Sequence, residues 1–426
     1  MPNQRINSAA IVQRIFENKV FFAELKSQVP EQDLAFVNML VLTSLRHWQG
    51  LNAVLKIFLH KKIPHKHRFA QYLMLLAIAE LLFMETPPYA VIDETVKNIK
   101  YSTDKFLGGL ANAVLRKVIG QKDSLLSTIR NTSPLPPDFV KILNGYDKQD
   151  TSLISSVVCS VPPLDITAKD NPQDWQNKLN ADLLPNGTLR LAEAKQIHLL
   201  PEYTQGRWWV QDVAASLPVL AMGNVNGLEV IDLCAAPGGK TAQLAARGAK
   251  VTALDISAKR LEKLKQNMQR LGFNNITTYA VDALQYLEQA PQQFDAVLLD
   301  APCSATGTFR RHPEVLHIKN QQDVAAQVNL QKQMLNLCSR ILKVGGTLLY
   351  SVCSICKNEG EYQIADFLKY NTNFKIVPIT NAEISAYGTW NDDLLLPDGT
   401  IRTMPYYLNN KNGMDCFFIC KMQRII

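Results

Sequence analysis

Two cysteines, Cys303 and Cys353, stand at the ends of apolar, strand-like runs. The first run is FDAVLLDAPCS (Phe294–Ser304) and the second is GTLLYSVCS (Gly346–Ser354). A third run, VIDLCAAPGGKT (Val230–Thr241), ends in a glycine-rich turn. A thiol becomes a nucleophile when its surroundings favour the thiolate. A strand that enters a glycine turn and then a helix is a cofactor-binding device, because the backbone can approach the ligand and the first helical N–H groups are free. Thiols beside such a turn suggest covalent chemistry on an electrophilic ring, with a donor group held next door.

The turn comprises Cys234, Ala235, Ala236, Pro237, Gly238, Gly239 and Lys240. It is neither the dinucleotide pattern G-x-G-x-x-G nor a complete P-loop. Acids recur at the ends of successive strand candidates: Asp232, Asp255, Asp282 and Asp300. One such acid usually caps a helix, but four in register form a ladder. Asp255 lies about 20 residues past the turn, where an acid accepts hydrogen bonds from ribose hydroxyls. Asp282 is placed for an adenine amino group. A ligand with a ribose, an adenine and a positive centre fits this ladder, and S-adenosylmethionine has all three. The Cys234 thiol itself reads as packing.

These residues need a scaffold. Strand candidates Leu228–Cys234, Lys250–Ile256, Ile276–Val281, Phe294–Asp300 and Thr347–Val352 alternate with helical patterns such as SAKRLEKLKQNMQRLG. The alternation predicts an α/β fold with a parallel, doubly wound sheet and a ligand outside the carboxyl ends of its strands. Residues 1–140 read as all-helical, with apolar residues at three- and four-residue spacing: Val37, Val41, Leu45, Trp48; Leu73, Leu76, Ala77, Leu81. The segment NTSPLPPDFV (Asn131–Val140) marks a boundary. Residues 145–222, with PPLDITAK among them, read as a small α+β module, and 223–426 as the catalytic domain.

The 426 residues are 47% hydrophobic and 19% charged, with a net charge of +7. Residues 1–140 hold 17 Lys and Arg against 11 Asp and Glu, so most of the excess is N-terminal. Concentrated basic charge favours a nucleic-acid partner. No apolar run approaches the ~20 residues of a membrane helix; the stretch Tyr72–Met84 is interrupted by Glu80. Eight scattered cysteines suggest free thiols in a reducing, cytoplasmic compartment. A monomer without a membrane partner is expected.

At these motifs the chain resembles the RNA 5-methylcytosine methyltransferases. The resemblance rests on DLCAAPGGKT, LDAPCSATG and SVCS, supported by RRHPEV (Arg310–Val315) and GRWWVQDVAAS (Gly206–Ser216). Residues 1–140 resemble the helical RNA-binding domain of the NusB family, most clearly in GGLANAVLRKV (Gly108–Val118). The resemblance implies a Rossmann-like, S-adenosylmethionine-dependent methyltransferase sheet, preceded by an all-α NusB-like domain and a small α+β module. It also implies methyl transfer to C5 of a cytosine, with 16S ribosomal RNA as the partner. Cys353 is then the nucleophile at C6 and Cys303 assists release. Asp300 contacts the base, and Lys240, at the turn, is a further candidate to reach it. The chain departs from the family's usual residues at Val352, where threonine is common, in KNEGE (Lys357–Glu361) and in DCFFIC (Asp415–Cys420).

Other readings compete. A DNA cytosine methyltransferase would carry a Glu-Asn-Val motif, which does not occur. Transfer RNA or another RNA is an alternative substrate, and a decayed RNA-binding factor would be expected to lose the thiols or the glycine turn. Cys353, Cys356, Cys416 and Cys420 could in principle hold zinc, but the Cys416–Cys420 spacing suits ordinary strand residues, so no metal is expected. His60, His65 and His67 sit in a lysine-rich loop that reads as RNA-facing or simply solvated.

Overall fold

The computed structural model describes residues 4–191, 196–289 and 293–426. The chain forms two compact units. One comprises Met1–Lys141, Asp147–Ser160 and Phe309–Asn320; the other comprises Ile142–Tyr146, Val161–Thr308 and Gln321–Ile426.

The first unit is helical. Its helix Arg68–Phe83 is buried from Tyr72 to Leu82, which explains the apolar run in the sequence. Glu80 lies in that buried stretch and is fully covered. The Arg5 guanidinium, on helix Gln4–Asn18, grips its carboxylate with Nη2 at 2.7 Å and Nε at 2.9 Å. A buried charge persists only when it is paired in this way. The periodicity through Val37, Val41, Leu45 and Trp48 runs through a break. One helix covers Glu31–Arg46 and the next covers Trp48–Phe58, with His47 (φ −101°, ψ 12°) between them. The segment Phe309–Asn320, which carries RRHPEV, packs in this helical unit. Glu314 is fully buried there and accepts the Phe22 N–H, while the His317 ring bonds the Leu45 carbonyl at 2.9 Å.

The second unit holds two sheets. Strands β1 (Leu164–Ala168), β2 (Ala181–Leu183), β3 (Leu189–Leu191) and β4 (Trp208–Val210) form a small antiparallel sheet in the order β2-β3-β1-β4. The larger sheet contains β5 (Glu229–Leu233), β6 (Lys250–Asp255), β7 (Ile276–Ala280), β8 (Phe294–Asp300), β9 (Leu342–Val352), β10 (Phe374–Ile376), β11 (Ile401–Arg402) and β12 (Phe418–Arg424). Its order is β10-β12-β9-β8-β5-β6-β7, with β11 beside β12. Strands β5 to β9 pair in parallel and β12 runs antiparallel to β9. The α/β reading therefore holds. The chain winds outward from β5 to β7, then returns to β8 on the other side of β5. Ligands of such sheets bind at this reversal, beyond the carboxyl ends of β5 and β8.

The helix Ala258–Leu271 shows why the local sequence suffices. Ser257 caps its start by accepting the Arg260 N–H, and Gly272 ends it at φ 69°. Its buried residues Leu261, Leu264, Met268 and Leu271 recur at helical spacing and face the sheet core.

Candidate active site

Parallel pairing of β8 with β9 brings the two cysteines together. Asp300 stands opposite Ser351 in the register, so Cys303 and Cys353 lie three and two residues beyond paired positions. Their sulfur atoms are 3.4 Å apart. Both residues are half-buried. The hydrogen bond to Cys353, burial, and the charges of Cys353 and Glu359 push the Cys303 thiol well above the ordinary thiol range. At this distance either thiol can donate to the other sulfur.

Backbone geometry supports the pair. Gly307 donates its N–H to the Cys353 carbonyl at 3.0 Å and accepts the Cys416 N–H at 2.9 Å. A Cβ at Gly307 would lie 2.1 Å from the Cys416 carbonyl oxygen, so only glycine fits between these strands of chain. Val352 is fully buried in the same apolar cluster as Tyr350, Phe418 and Cys420. Its apolar side chain thus suits the position where threonine is common.

Beside the thiols, Lys240 Nζ meets Asp300 Oδ2 at 2.8 Å, and Ser351 Oγ donates to Asp300 Oδ1 at 2.8 Å. The Lys240 ammonium also lies 5.0 Å from the centre of the Phe417 ring. Burial opposes the Lys240 charge, but Asp300 outweighs it and raises the lysine pKa. This ion pair sits at the mouth of the thiol pair.

The turn after β5 is shaped by its sequence. Cys234 takes φ 63° and Gly238 takes φ 105°, immediately before helix Gly239–Ala246. Ala235 donates its N–H to the Leu254 carbonyl at 2.7 Å, which ties the turn to β6. Ala236 and Pro237 complete the bend, and burial pushes the Cys234 thiol up to about 12, so it stays protonated. The four strand-end acids differ in their surroundings. Asp300 and Asp282 are half-buried, and Asp282 also accepts the Gln285 N–H. Asp255 is 3% exposed; its oxygens accept the N–H groups of Ala236 (3.1 Å) and Ser257 (2.9 Å), so it braces the turn as well as marking the strand end. Asp232 is fully buried and accepts the Thr241 hydroxyl at 2.6 Å. A donor set with this acidic excess, beside a glycine turn, suits a ligand with hydroxyl donors and a cationic centre.

Among the described residues no group of three or more His, Cys, Asp or Glu side chains could hold a metal ion. Sequence reasoning missed Ser304, Ser354, Gly307 and Glu359, which join the two cysteine loops. Its available signal was the repeated Cys-Ser pair.

The 16S rRNA methyltransferase RsmB/F model matches residues 219–423, and the NusB family model matches residues 2–120. The ribosomal RNA small subunit methyltransferase B of Pasteurella multocida (strain Pm70) is 30% identical over 95% of this chain and 91% of its own. That of Proteus mirabilis (strain HI4320) is 34% identical over 81% of this chain and 85% of its own. The chain belongs to the RsmB/F methyltransferase family. It is an S-adenosylmethionine-dependent RNA methyltransferase with a NusB-like helical domain. The solved structure of PH0851 shares its fold with a TM-score of 0.76 at 20% identity, covering 98% of both chains. A methyltransferase homologue from Pyrococcus horikoshii covers 68% of this chain and all of its own, with 25% identity and a TM-score of 0.54. No helix among the described residues is long and apolar enough to cross a membrane.

Proposed function

We propose that this enzyme methylates C5 of a cytosine in 16S ribosomal RNA through a covalent bond between Cys353 and C6. The observation that carries this reading is the pair of thiols 3.4 Å apart beside the Lys240–Asp300 pair. C5 of cytosine is a poor nucleophile. Addition of the Cys353 thiolate to C6 breaks the 5,6 double bond and leaves an enamine-like C5. S-adenosylmethionine, when bound, supplies the electrophilic methyl group for the new C5–carbon bond. Its holders in this reading are the Cys234–Lys240 turn, Asp255, Asp282 and Asp300. Asp300 and Lys240 also contact the base, which must leave its stack to reach them.

Release requires loss of the C5 proton and departure of the Cys353 sulfur, which restores the double bond. In the free enzyme Cys303 holds its proton chiefly because of Cys353. Once Cys303 has given its own proton to solvent, its sulfur, 3.4 Å from that of Cys353, is placed to take the C5 proton. The two thiols therefore act in sequence.

The helical unit supplies the RNA docking surface in this reading. A cleft of about 500 Å³ opens there, walled by Phe16, Trp48 and Tyr72 and rimmed by Lys56, Lys61, Lys62 and Arg68. Exposed cations suit phosphates. The enzyme acts as a cytoplasmic monomer, where its thiols stay reduced.

The test uses the two cysteine variants with 16S RNA and S-adenosylmethionine. Cys353→Ala abolishes methylation, read by bisulfite sequencing. Cys303→Ala leaves a covalent protein–RNA adduct, visible as a shifted band on denaturing gels. If Cys353→Ala traps RNA and Cys303→Ala is inert, the roles are reversed and the reading fails.

A further inference from the structure

Past the ends of β8 and β9, ladder hydrogen bonds no longer fix the distance between the cysteine loops. The side chains that take over converge on one residue. Glu359 is fully buried. Its Oε1 accepts the Ser304 N–H at 2.8 Å and the Gln331 amide at 3.0 Å. Its Oε2 accepts both the Ser304 and the Ser354 hydroxyls. Ser304 directly follows Cys303, and Ser354 directly follows Cys353. The Gln331 amide, on helix Gln321–Ile341, also donates to the Pro302 carbonyl at 2.9 Å, which secures the residue before Cys303. Thr306 Oγ1 bonds Ser304 at 2.9 Å and Ser354 at 3.0 Å, closing the network. Tyr350, on β9, donates its hydroxyl to the Glu359 carbonyl at 2.7 Å and anchors the residue to the sheet.

A buried carboxylate is costly unless donors surround it. This one has four, and they come from both loops and a neighbouring helix. Its two oxygens carry enough lone pairs to accept from all four at once. We propose that Glu359 is a positioning residue that binds the Cys303 and Cys353 loops into one rigid body and so sets the distance between the thiols. This rests on the two-thiol reading above. Glu359 has no role in holding the cofactor or the base; it acts through the serines.

The test compares full-length wild type, Glu359→Ala and Glu359→Gln. One readout needs neither RNA nor methyl donor: diamide takes two electrons and two protons from the thiols, and mass spectrometry follows the Cys303–Cys353 disulfide. Glu359→Ala should cross-link at least fivefold more slowly, because the loops part. Turnover of bound RNA should fall at least tenfold, while KM for RNA and affinity for S-adenosylmethionine stay within twofold. Glu359→Gln should recover most of both rates, since its oxygen accepts the Ser304 N–H and its amide donates to hydroxyls that rotate to accept. If Glu359→Ala does not fold, Ser354→Ala, which removes one of the four donors to Glu359 together with the bonds of that hydroxyl to Ser304, Thr306 and the Cys356 N–H, takes its place with the same expected directions. Wild-type cross-linking in a folded Glu359→Ala protein overturns the proposal, as does a Glu359→Gln variant as slow as Glu359→Ala. Absence of an RNA adduct in Cys303→Ala would refute the two-thiol chemistry instead, and leaves the cross-linking comparison intact.

Discussion

Replacing Asp232 with asparagine should change how stability depends on pH. Asp232 lies near the end of the first strand of the parallel sheet, fully buried, just before the Cys234–Lys240 turn. Burial pushes its carboxyl up to about 7 from an ordinary 3.8; Asp300 and Asp255 add to the shift, while Thr241 and Lys240 oppose it. Its Oδ1 meets no hydrogen-bond donor among the described residues. The folded protein thus holds a proton that the unfolded chain has already released between pH 3.8 and about 7. Where the folded state binds more protons, stability falls as pH rises. This group therefore costs nothing below its unfolded pKa, and its full cost is present above its folded one. Three units at about 1.36 kcal/mol each give a cost of up to about 4 kcal/mol.

The Asp232→Asn side chain is neutral throughout and keeps an acceptor for the Thr241 hydroxyl, so the variant escapes the titration. The stability difference, variant minus wild type, should rise across pH 4 to 8 and then flatten. At about 2–4 °C per kcal/mol for a domain of this size, the relative Tm gain is roughly 10 °C. Calorimetric scans of both proteins at half-unit steps measure it. A difference that stays constant with pH would show that Asp232 is ionised in the fold at neutral pH, and would refute the argument from burial.

Three further outcomes are expected. Gly307→Ala forces a Cβ to within 2.1 Å of the Cys416 carbonyl and must spread the cysteine loops; methyl transfer should fall at least a hundredfold while calorimetry finds S-adenosylmethionine affinity within threefold. Arg190→Met leaves Asp165 buried without the guanidinium that now holds it through two 2.7 Å bonds; breaking a buried pair costs about 3–5 kcal/mol, which thermal melts should report as a drop of about 10 °C. Replacing Lys61 and Lys62 together with alanine should weaken RNA binding and lower the slope of log affinity against log salt by about one to two; an unchanged slope in filter binding would mark the lysines as merely solvated.

The parallel sheet was legible because its strands are short apolar runs that end in acids or glycine turns, and because their helices carry their own caps, as Ser257 and Gly272 do. The strands β10 to β12 were harder. Phe418–Arg424 pairs antiparallel with a strand about seventy residues earlier, and nothing local in Cys416–Cys420 announces that partner. The small sheet was equally obscure, since three of its four strands are only three residues long and its buried Asp165–Arg190 pair joins residues twenty-five positions apart. RRHPEV was read with the catalytic motifs through the family resemblance, whereas Phe309–Asn320 packs among the helices. Contiguity in sequence is weak evidence of contiguity in a core when a buried Glu314 and a His317 ring tilted against Phe16 find their partners on other helices.

Within the site, the residues that carry charge or a thiol were legible and those that fix distances were not. Cys303, Cys353, Lys240 and Asp300 announce themselves by type at strand ends. Asp255 was read as an open acid for ribose, yet its oxygens also hold two turn amides, a job that depends on where β5 and β6 end relative to each other. The same holds for Glu359. In KNEGE it resembles any helix-start acid, and only the parallel register of Asp300 with Ser351 brings Ser304 and Ser354 to one carboxylate. The fifty-residue spacing of the thiols is therefore tied to that register: shifting β9 by one residue would turn its side chains to the opposite face and separate Cys353 from Cys303 and from the donors that hold Glu359. Register, brace and thiol distance stand or fall together, so a variant that disturbs any one of them should impair turnover before it impairs cofactor binding, which the proposed function assigns to the turn after β5.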